Sequence, residues 1–190
     1  HNPETPIPNE LEDRTFVESN GYVAIEAEHY AKNVVVGDTG WQVVPGYGRT
    51  LSSMVVLREG AHPGTGLSAT PPENSPYLEY RVYIENPGDI KVITYTAPTL
   101  NVTRDRGLRY AISFDEQPPQ IVDTFPQEFA ADDTCQAWEF GVIYNIRHNA
   151  TQYKVEKAGY HSLRFWMVDP EVVLERIILD IKGVEHSYLG

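Results

Sequence analysis

Short runs of β-branched and aromatic residues, each closed by a turn-forming cluster, recur from one end of this chain to the other. Tyr22 to Glu28 alternates apolar and polar residues; Trp41 to Val44 and Ser53 to Leu57 follow. Residues 77–84 read Tyr-Leu-Glu-Tyr-Arg-Val-Tyr-Ile, and residues 89–96 read Asp-Ile-Lys-Val-Ile-Thr-Tyr-Thr. The turn Glu85-Asn86-Pro87-Gly88 lies between them and predicts a hairpin. Leu108 to Phe114, Gln120 to Phe125, Ala137 to Ile146, His161 to Val168 and Val172 to Ile181 continue the pattern. Helical periodicity is weak throughout, with at most one turn at Glu128 to Asp132. About ten short strands spaced by turns predict an all-β fold, a jelly-roll-like sandwich of two antiparallel sheets.

The length, 190 residues, suits one such domain. Residues 1–14 are rich in Pro, Asn and Glu and read as a linker or N-terminal arm, leaving 15–190 as the sandwich. The Gly- and Pro-rich stretch from Arg58 to Ser75 reads as a long loop. Fifteen basic against 27 acidic residues give a net charge of −12. An acidic surface argues against nucleic acid and against an anionic membrane. No apolar run reaches the roughly 18 residues of a membrane span. The chain opens His1-Asn2-Pro3-Glu4 without the charged and apolar regions of a signal peptide, which reads as a mature or excised fragment. The single cysteine, Cys135, sits in a polar stretch without a neighbouring base and reads as inert. Asn101-Val102-Thr103 and Asn149-Ala150-Thr151 match the N-glycosylation tripeptide, which matters in a eukaryotic host.

Four stretches carry candidate chemistry. In a strand over Tyr22 to Glu28, Ile25 and Ala27 point one way and Glu26 and Glu28 the other. Two carboxylates about 7 Å apart on one face make either a solvated acidic face or part of a hard-cation site. A glycosidase acid–nucleophile pair is the weaker reading, because such carboxylates flank a substrate from different strands or loops. The turn Pro45-Gly46-Tyr47-Gly48 presents Tyr47 and Arg49, which can stack on a sugar or clamp a carboxylate, while Trp41 reads as core. Trp138 and Tyr144 precede Arg147, His148 and Asn149. In His161 to Pro170, Leu163, Phe165 and Met167 alternate with Ser162, Arg164 and Trp166, so one face is core and Trp166 is a candidate interface residue. The six histidines lack metal-ligand spacing, and neither a nucleophile elbow nor a phosphate-binding glycine loop occurs.

Glu26-Ala27-Glu28 after an apolar strand, Gly88-Asp89-Ile90-Lys91-Val92, and Leu174-Glu175-Arg176-Ile177 resemble carbohydrate-binding module families 6 and 35. Those are jelly-roll sandwiches with a structural calcium. The resemblance implies a calcium on Glu26 and Glu28, with Glu175 where the modules place an Asp and Asp180 as a nearby alternative. Val173 and Leu174 stand where an Asn often accompanies the modules' sugar site.

A longer likeness runs through residues 22–30, Trp41 to Thr50, Gly159 to Arg164, Trp166 to Pro170 and Ser187-Tyr188-Leu189-Gly190. These stretches resemble the C-terminal domain of glycoside hydrolase family 115, whose members are xylan α-1,2-glucuronidases with catalytic residues in other domains. The resemblance implies a secreted, periplasmic or cell-surface accessory domain without catalytic residues of its own. Its partners would be the catalytic domains and xylan or a glucuronic-acid-decorated oligosaccharide, and Tyr47, Arg49, Trp138 and Trp166 are the candidate ligand contacts. An autonomous carbohydrate-binding module and a purely structural, calcium-stabilised or oligomerisation domain are the alternatives.

Overall fold

A computed structural model of the chain describes residues 12–48, 51–57, 75–99, 108–125 and 147–181. Among them the strands are β1 (Thr15–Val17), β2 (Tyr22–Glu26), β3 (Lys32–Val34), β4 (Gln42–Val44), β5 (Ser53–Val55), β6 (Tyr77–Ile84), β7 (Gly88–Thr96), β8 (Arg109–Phe114), β9 (Gln120–Asp123), β10 (Arg147–Val155), β11 (Gly159–Met167) and β12 (Val173–Asp180). They make two sheets. One runs β1-β6-β11-β8-β9 with β3 also on β6; the other runs β10-β7-β12-β5-β4 with β2 also on β12. The all-β sandwich expectation holds. One pair departs from the antiparallel pattern, since β1 lies parallel to β6.

The hairpin predicted across Glu85-Asn86-Pro87-Gly88 does not form. β6 belongs to the first sheet and β7 to the second, so this turn carries the chain from one layer to the other. Turn residues specify a reversal but not the strand that each arm pairs with, and here each arm finds longer partners elsewhere. β6 pairs with β11, and β7 pairs with β10 and β12. The crossing is pinned by Glu18, a buried residue. Its carboxylate accepts from the backbone N–H of Glu85 (2.8 Å) and Asn86 (2.9 Å) and from the Asn86 side-chain amide (2.6 Å). Gly88 then enters β7 at φ 154°, a conformation that L side chains rarely adopt.

Strand alternation builds the core. Val23, Ile25 and Ala27 point inward from β2 and its extension, facing Leu78, Tyr80 and Val82 of β6. Leu163 and Phe165 of β11 are fully buried as the alternation predicts. Phe165 stacks on Tyr110 (4.7 Å between ring centres) and meets Trp41 edge-on (5.1 Å). Trp41 is core as expected, and its indole N–H donates to the Pro76 carbonyl. β12 adds a bulge, because its register on β7 shifts between Leu174 and Arg176. The extra residue is Glu175, and the shift lets both Leu174 and Ile177 face the core. Two buried phenols are anchored: Tyr80 donates to the Ala27 carbonyl (2.8 Å) and Tyr153 to that of Ile112 (2.5 Å). Burial pushes the Tyr153 hydroxyl up to about 12 and that of Tyr80 well above its ordinary value.

β1, β3 and β10 have no counterpart in the sequence reading. β1 and β3 are three residues each, too short for a period to register. β10 is nine residues long, but its inward positions Arg147, Asn149 and Thr151 are polar, so apolar alternation appears only at Tyr153 and Val155. The expected strand 137–146, the turn 128–132, Cys135 and Asn101 lie outside the described residues, as does the loop 58–75 apart from Ser75.

Candidate functional site

The four carboxylates proposed for a cation fall at three places. Glu26 points outward from β2 directly across the ladder from Arg176. One Glu26 oxygen accepts from both Arg176 Nη2 (2.6 Å) and Nε (3.1 Å), so a guanidinium already faces this carboxylate. Glu28 follows just past the strand, 3.8 Å from His29 Nε2. Glu175 is buried at the bulge, where its backbone carbonyl accepts from the Ala27 N–H. Asp180 pairs across from Tyr22, four residues along β12 from Arg176 and therefore about 13 Å away along the strand. Among the described residues no three His, Cys, Asp or Glu side chains converge as a metal centre. Calcium needs several oxygens together. As placed, with Arg176 on Glu26 and Asp180 at the far end of β12, these four side chains do not form one ligand set.

The candidate ligand contacts are likewise dispersed. Tyr47 is 46% exposed on the turn between β4 and β5. That turn is built by its glycines: Gly46 takes φ 66°, and a Cβ on Gly48 would lie 2.7 Å from the Leu51 carbonyl oxygen. Arg49 and Trp138 lie outside the described residues. Trp166 does point away from the core, on the outer face of the other sheet. It is half-buried, with its ring 4.2 Å from Tyr77 and its indole N–H donating to Ser113 Oγ (2.9 Å). Tyr47 and Trp166 thus sit on different sheets.

Around Trp166 the outer face carries a bonded charge ladder. Glu79 is 6% exposed, yet it holds Lys32 at 2.8 Å and Arg164 at 3.0 Å. Burial alone would raise its pKa, but the two cations outweigh burial and hold the carboxyl below its ordinary range. This face is occupied by internal pairs. The tripeptide at Asn149 also folds inward: its amide donates to the Asp123 carbonyl from an inward position of β10, so the folded domain does not offer it for glycosylation.

Sequence reasoning missed an open cleft of about 620 Å³ beside β7 and β10, on the edge away from the Glu26 corner, with Lys91, Gln152 and Lys154 among its lining residues. Its only sequence signal was the polar half of the alternation in β7 and β10, which any solvated strand shows.

The two-layer β-sandwich, with strands that cross between layers, is a fold shared with solved carbohydrate-binding modules. The profile of the glycosyl hydrolase family 115 C-terminal domain matches residues 15–190, and the chain belongs to that family. Among solved structures it resembles a family GH115 4-O-methyl-α-glucuronidase with specificity for decorated arabinogalactans, at 15% identity and TM-score 0.62 over 84% of this chain. The match covers 17% of that enzyme's chain. It also resembles a family 35 carbohydrate-binding module from Clostridium thermocellum, at 17% identity and TM-score 0.52, covering 83% of this chain and 97% of the module. The C-terminal family 6 module of a laminarinase from Zobellia galactanivorans matches at 13% identity and TM-score 0.50, covering 84% and 98%. No curated protein sequence matches the chain closely enough to count as a relative. No helix among the described residues is long and apolar enough to cross a membrane.

Proposed function

We propose that this chain is the non-catalytic, glycan-binding accessory domain of a secreted xylan α-1,2-glucuronidase. It would hold glucuronoxylan for catalytic domains elsewhere in the parent enzyme. The observation that carries the reading is the family match, which spans every element from β1 to β12. Two features agree with an accessory role. The related enzyme is about six times the length that this domain covers in it, which leaves room for catalysis elsewhere. Within the described residues, the charged pairs Glu79–Arg164 and Glu26–Arg176 are neutralised across ladders rather than left facing one another across a substrate cleft.

A second reading, an autonomous xylan- or uronic-acid-binding module, is favoured by the exposed Tyr47 on its glycine-built turn. Isothermal titration of the domain with glucuronoxylan and aldouronic oligosaccharides tests both readings. Calcium-dependent binding lost in Tyr47→Ala or Trp166→Ala makes it a binding module. No heat with any glycan leaves a structural domain that acts only within its parent. A melting temperature lowered by chelator identifies a bound calcium; an unchanged one fits the Arg176 guanidinium as the cation at Glu26.

A further inference from the structure

The cleft beside β7 and β10 has a floor, a wall and a rim. Its floor runs along β7 and β10 at Ile90 and Tyr153, whose side chains point the other way into the core, where the Tyr153 hydroxyl is tied to the Ile112 carbonyl. Its wall includes Gln117, on the turn between β8 and β9. The Gln117 side chain is clamped in place: its amide donates to the Lys154 carbonyl (2.8 Å) and its oxygen accepts from the Lys154 N–H (3.2 Å). The turn behind it is held by Asp115, which bonds His161 at 2.7 Å and the Ser162 N–H at 2.9 Å. The wall therefore stands without a ligand, as pre-formed sugar sites do.

The rim alternates charge across the ladder. Asp89 lies opposite Lys154, and Lys91 lies opposite Gln152 on one side and Asp180 on the other. Lys91 and Lys154 are diagonal neighbours on adjacent strands, about 7–8 Å apart at the backbone and within reach of one small anion. Asp89, Lys91, Gln152 and Lys154 are all exposed, and among the described residues none has a side-chain hydrogen bond or ion pair. On the outer face of the other sheet, by contrast, Lys32 and Arg164 are both bound to Glu79. Tyr22, 39% exposed, stands across the ladder from Asp180, which lines the cleft. Two free ammonium groups suit a carboxylate. A free amide and a free carboxylate beside them suit hydroxyls, which both donate and accept. A sugar acid combines these groups at the size of the cleft.

We propose that this cleft is a subsite for a uronic-acid residue within a glycan chain, its carboxylate seated by Lys91 and Lys154 and its hydroxyls by Gln152 and Asp89. The proposal rests on the reading of the domain as glycan-binding and adds a place and a ligand class to it. The test is a ¹⁵N–¹H correlation titration of the 190-residue chain with xylotriose bearing glucuronic acid and, in parallel, with plain xylotriose. Expected are shifts at residues 89–91, 117 and 152–154 with the acidic sugar only. A Lys91→Met/Lys154→Met double variant, at exposed positions, should lose at least about tenfold in affinity, the scale of one lost charge-assisted contact. Shifts confined to the Tyr47 turn would overturn the cleft while keeping a glycan-binding domain. Equal binding of plain xylotriose in the cleft, or an unaffected double variant, would overturn the uronate assignment. No shift with either sugar would sink both the cleft and the glycan-binding reading.

Discussion

His161 lies between two acceptors: Asp115 at 2.7 Å on Nδ1 and the Lys157 carbonyl at 2.9 Å on Nε2. Only the imidazolium donates to both. The Asp115 hydrogen bond raises the pKa of His161 more than burial lowers it. Burial pushes Asp115 up, but His161 and the Ser162 N–H outweigh it and hold the carboxyl below its ordinary range. The raised histidine adds stability that is full below its unfolded value, about 6.5, and is lost as pH rises through its folded value. The lowered aspartate adds stability that is full above about 3.9 and is lost as pH falls through its folded value. Melting temperature should therefore be highest between about pH 4 and 6.5 as far as this pair decides it, and the decline on the alkaline side should vanish in His161→Gln. A wild-type and variant pair with parallel profiles from pH 5 to 9 would refute this. Glu79 makes a second residue-scale prediction. Glu79→Gln leaves Lys32 and Arg164 without their shared anion on a largely buried rung, and should cost about 1–3 kcal/mol in urea unfolding.

Elements are held by a few residues that act at strand ends or along one face. Glu18 closes the crossing from β6 to β7 with three hydrogen bonds. Glu18→Ala strips a buried turn of its acceptor, so a loss of about 2–3 kcal/mol is expected, with amide exchange accelerated first at Glu85 and Asn86. On β11, Phe165 links Trp41 and Tyr110 across the core. Phe165→Ala should cost about 3–5 kcal/mol by chemical denaturation, while Trp166→Ala one position along costs less because its ring is only half-buried. Equal costs at the two positions would contradict the inward assignment of Phe165. The alternation of β2, β6 and β11 was legible because their two faces meet different solvents. β10 was not, because its first inward positions are polar.

For the whole molecule, sequence motifs and spatial neighbours diverge. Glu26 and Glu28 read as a pair, yet Glu26 belongs with Arg176, 150 residues away. Tyr47 and Trp166 are both candidate ligand contacts by sequence, yet they sit on different sheets. Lys91 and Lys154 stand far apart in sequence and share one cleft. Function that depends on assembled side chains should follow the spatial grouping. Adding salt should weaken binding of an acidic oligosaccharide to the cleft and leave aromatic contacts at Tyr47 little changed, which titrations at low and high ionic strength would separate.

The sequence by itself determined the class of fold, the main strands and the side of each that is buried, because a period of two and turn chemistry are local properties. It also determined family membership, which rests on ordered motifs. Only the tertiary structure decided that the Glu85–Gly88 turn crosses between layers, that β1 runs parallel to β6, and that a guanidinium faces Glu26. The same holds for the cleft. Strand pairing is a competition among distant segments, and a site is a set of side chains that pairing brings together, so neither is written in any one stretch of the chain.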